Sequence, residues 1–79
     1  MQLPEETRRH LTKAVDLLRS GRRPAGLAAS HLELAAHSVV DRDPDLGANL
    51  LDASRGVRGG GRSAMLLLHR AVQDTDLFA

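Results

Sequence analysis

The 79-residue chain has no cysteine, tryptophan, tyrosine or isoleucine, and one phenylalanine, Phe78. The lack of cysteine excludes disulfides, thiolate zinc sites, iron–sulfur clusters and a thiol nucleophile. The lack of aromatic platforms argues against single-stranded nucleic acid as a ligand, because such sites stack bases on aromatic rings. The longest apolar run is Ala64 to Leu68, far short of the roughly 20 residues of a membrane span. The opening stretch MQLPEETRRH carries no apolar segment of the kind a secretory signal needs. A cytoplasmic, non-membrane protein is the expectation.

What is abundant is Leu (14) and Ala (11), both good helix formers. Strand formers are few, and no stretch alternates polar and apolar residues at period two. Leu, Val and Phe supply 20 of the 79 residues and the net charge is only +1, too apolar and too neutral for disorder. Ten Arg stand against one Lys. That bias reads first as genome base composition, not as a nucleic-acid signal. The expectation is an all-α chain, residues 1–79 forming a single helical-bundle domain of about four short antiparallel helices. Many of its apolar residues are alanines, which bury little, and no disulfide compensates. Dimerisation is the natural source of additional burial.

The spacing predicts helix one over about 4–19, with Leu11, Ala14, Val15 and Leu18 as its stripe and Ser20-Gly21 as its stop. Helix two is expected over about 24–40 and, being apolar on a wide arc, buried on more than one side. Helix three has the clearest start: Asp43 as N-cap and Pro44 at N1. Its stripe is Leu46, Leu50, Leu51, Ser54 and Val57, with Gly56 and Gly59-Gly60-Gly61 ending it. Helix four is expected over about 62–74, extending as far as Leu77. Its run Met65-Leu66-Leu67-Leu68 exceeds what one amphipathic face holds, so it is either central or shared with a partner. Phe78 is expected to tuck into a core short of large groups.

Charge falls in blocks. Residues 1–30 hold six basic and three acidic groups, 31–54 one and five, and 55–73 four and none. Blocks of opposite sign suit pairing between helices or between subunits. The densest basic feature is Arg55, Arg58 and Arg62 around the triple glycine. Arginine forks and exposed backbone N–H groups there would suit a phosphate or nucleic-acid backbone; the order of residues does not match a P-loop. A helix-turn-helix across Asp41 to Pro44 is disfavoured, because Asp41, Asp43, Asp45 and Asp52 would face phosphates.

Four histidines raise a metal reading. Glu6/His10 and Glu33/His37 are i, i+4 pairs, each able to present two ligands from one helix face. The Glu-x-x-His spacing of di-iron bundles is absent. His31 falls in the apolar stripe of helix two as a core histidine, with Glu33 and His37 on the opposite, solvated face. No metal ligand and no cofactor is assigned. No catalytic motif occurs: GxSxG, SxxK and HExxH are all missing, and four short helices leave little room for a pocket of several hundred Å³. The expectation is a non-enzymatic interaction or regulatory module, partnered by a second copy or a larger protein. Met65, Leu66, Leu68, Val72 and Phe78 would form its interface. The alternatives are an anion or nucleic-acid backbone binder using Arg55, Arg58 and Arg62, and a metal-binding bundle using the Glu–His pairs.

Overall fold

A computed structural model describes residues 2–20, 25–59 and 64–78. It contains four helices among them: α1 (Glu5–Arg19), α2 (Ala25–Val39), α3 (Pro44–Arg58) and α4 (Ala64–Ala71). No strand occurs among the described residues. None of these helices is long and apolar enough to cross a membrane.

Local chemistry sets the helix ends. Pro4 precedes α1, and its carbonyl accepts from the Arg8 N–H at 2.9 Å. Glu5 and Glu6 occupy the first turn, where the helix dipole favours negative charge. At the other end Ser20 donates its N–H to the Asp16 carbonyl and its hydroxyl to Leu17 O. For α3 the Asp43 carboxylate accepts from Leu46 N–H at 3.0 Å, with Pro44 at the first helical position. This satisfies one of the orphan donors that every helix start leaves.

The core is built of few large and many small side chains. Leu11, Leu32, Leu50, Leu68, Val39 and Val72 are fully buried. Around them pack Ala14, Ala28, Ala29, Ala35, Ala36 and Ala53. Helices lined with alanine approach closely, which restores dense packing without aromatic rings. α2 lies between α1 and α3 and packs extensively on both, whereas α4 leans on α3 and only lightly on α1. The radius of gyration is 11.0 Å, close to the roughly 12 Å of a compact chain this long.

Several elements differ from expectation. Gly56 does not end α3 but lies inside it, and Gly59 is the C-cap, its N–H bonded to Arg55 O at 3.0 Å. α4 ends at Ala71, well before Asp74. There Thr75 turns the chain: its N–H and its hydroxyl both donate to Val72 O, at 2.9 and 2.6 Å. Asp76 is meanwhile drawn away to α1 and the segment before it. The expected starts of helices two and four, at Pro24 and Arg62, lie outside the described residues. α2 is buried on two sides, but its outer face is open: Leu27 and Leu34 remain 43% and 49% exposed.

Candidate functional site

The C-terminal corner holds the expected interface residues, and the structure divides them. Leu68 and Val72 are buried in the chain's own core. Met65 is half-buried against that core. Leu66 is 53% exposed and Phe78 39%. Phe78 therefore does not tuck inward: Leu77 takes the place against the core. The Phe78 ring stacks on His69, with centroids 4.1 Å apart and planes tilted 20°. The Arg19 guanidinium from the end of α1 lies 6.0 Å from its centroid, at the outer reach of a cation–π contact. Leu66, His69 and Phe78 border an open hollow of about 440 Å³, with Val72 at its base.

Two of the three arginines expected to hold an anion are engaged with carboxylates in the structure. Arg62 lies outside the described residues. Arg58 gives both arms of its fork to Glu33 across α2 and α3, Nε to Oε2 and Nη2 to Oε1, each at 3.1 Å. This bidentate pairing holds the Glu33 carboxyl below the usual carboxylate range, chiefly through the hydrogen bond. It engages the Nε and one terminal nitrogen of the guanidinium. Arg55 meets Asp52 at 3.4 Å on the surface. Glu33 accordingly does not stand on an outer solvated face with His37. It sits at the α2–α3 seam beside the buried Ser54, whose hydroxyl bonds Leu51 O at 2.8 Å.

The two Glu–His pairs do not come together, and no cluster of three or more metal-ligating side chains exists among the described residues. A different pair does form. His10 of α1 and His31 of α2 meet with Nδ1 atoms 3.3 Å apart, ring centroids 5.5 Å apart and planes tilted 33°. His31 is half-buried and not a core residue. Burial, then the neighbouring His10 and Lys13, lower its pKa below the ordinary histidine value. The pair opens on a groove of about 480 Å³ along α1. Surface hollows of several hundred Å³ thus exist on a chain whose size argued against them. One signal of this pairing is local: His31 sits in the stripe of α2 that turns toward α1, and His10 immediately precedes Leu11 in the stripe of α1.

A second tie joins residues near the two ends of the chain. The Asp76 carboxylate pairs with Arg8 and accepts from Leu3 N–H at 3.1 Å. Thr7, fully buried, reaches Ser38 Oγ at 2.7 Å. Ser38 spends its own proton on Ala35 O, so Thr7 is the donor of that contact. These bonds fix the lateral position of α1 against α2 and the last turn. No family model, curated protein or solved structure matches this chain.

Proposed function

We propose that this chain is a small helical interaction module that self-associates through the corner formed by α4 and the turn after it. The observation that supports the reading is the pair of large apolar side chains, Leu66 and Phe78, left open at the rim of the 440 Å³ hollow. Exposed apolar groups around a concavity are the usual mark of a contact surface. In this reading successive helices run antiparallel, as connections of a few residues favour. A second copy covers Met65, Leu66 and Phe78, and Arg70 at the edge of the hollow supplies a polar rim.

The test is solution mass by light scattering on a sizing column, over a concentration series. The expected result is a dimer for the parent chain and a monomer for Leu66→Asp with unchanged helix content. Leu66 is half-exposed, so the substitution leaves the core in place. A parent chain of 8.5 kDa mass at every concentration overturns the proposal, as does a Leu66→Asp variant that associates like the parent.

A further inference from the structure

We draw no further inference here: the strongest candidate, the surface patch that Leu27 and Leu34 leave exposed on the outer face of α2, flanking His31, is an unpartnered apolar face, and nothing in the structure shows what covers it.

Discussion

At the residue scale, two kinds of polar contact hold this chain, and they differ in reach. Asp43 acts on its own helix, three residues away, where its carboxylate accepts from Leu46 N–H. Glu33 and Arg58 act across 25 residues of sequence. The cap is the simpler to test. Asp43→Ala leaves a helix-start donor without its partner and removes a negative charge from the positive end of the dipole. The expected loss is about 0.5–2 kcal/mol of folding stability, read as a lower urea midpoint with unchanged slope. Asp43→Asn or Asp43→Ser, which retain an acceptor, recover most of it. If Asp43→Ala unfolds at the parent midpoint, the cap contributes nothing. The contrast also explains what could be read in advance. Capping depends on neighbours in sequence, so Asp43-Pro44 announced the start of α3. The Glu33–Arg58 fork depends on how α2 sits against α3, and nothing local to Glu33 signals it.

At the element scale, two glycines inside α3 lie against close neighbours, with opposite consequences. A Cβ at Gly47 would meet Val40 Cβ and Cγ2 at 3.0 Å and Val40 Cα at 3.1 Å. Those atoms belong to backbone and to the branch point of a stiff side chain, so they yield little. A Cβ at Gly56 would meet the Leu67 Cδ1 methyl at 2.5 Å, the far end of a side chain that can rotate. Replacing a helical glycine by alanine gains about 0.8–1.0 kcal/mol of intrinsic propensity, while overpacking costs about 1–3 kcal/mol. At Gly47 the cost wins, and Gly47→Ala lowers stability. At Gly56 rotation of Leu67 relieves the contact, and Gly56→Ala is near neutral or stabilising. The measurement is the order of urea midpoints; Gly47→Ala above Gly56→Ala refutes the argument.

The same positions show why helix ends were only partly legible. Three of the four helices follow their apolar spacing to within a residue or so at the ends that are described. Gly56 reads locally as a stop, yet tertiary packing against Leu67 retains it inside α3 and overrides its propensity. The end of α4 departs from its apolar spacing for a related reason. Residues 72–74 carry no breaker; the turn is made by the Thr75 hydroxyl and by the pull of Asp76 toward Arg8 and Leu3, a contact across nearly the whole sequence.

At the scale of the whole molecule, the ion pairs and the histidine pair make stability depend on pH in two separate ranges. Glu33 and Asp76 have folded pKa values below those of ordinary carboxylates, held there chiefly by hydrogen bonds from Arg58 and Arg8. A depressed folded pKa means that the unfolded chain takes up protons first. The stabilisation is therefore complete above the ordinary carboxylate range and is lost as pH falls below it. His31 is also lowered, by burial and by His10 and Lys13. Its contribution is likewise complete above the ordinary histidine value, about 6.5, and is lost on acidification below that. Unfolding by urea from pH 8 to pH 3 should thus show a first decline starting near pH 6.5 and a second below about pH 4.5. His31→Gln flattens the first decline and leaves the second. Asp76→Asn, which retains an acceptor for Leu3 N–H but not the charge facing Arg8, weakens the second and leaves the first. A single decline confined to the carboxylate range would mean that the His10–His31 contact places no electrostatic load on the fold. A His31→Gln variant with the parent's full pH profile would carry the same meaning, because a pair of imidazoles 3.3 Å apart cannot accept two protons without repulsion.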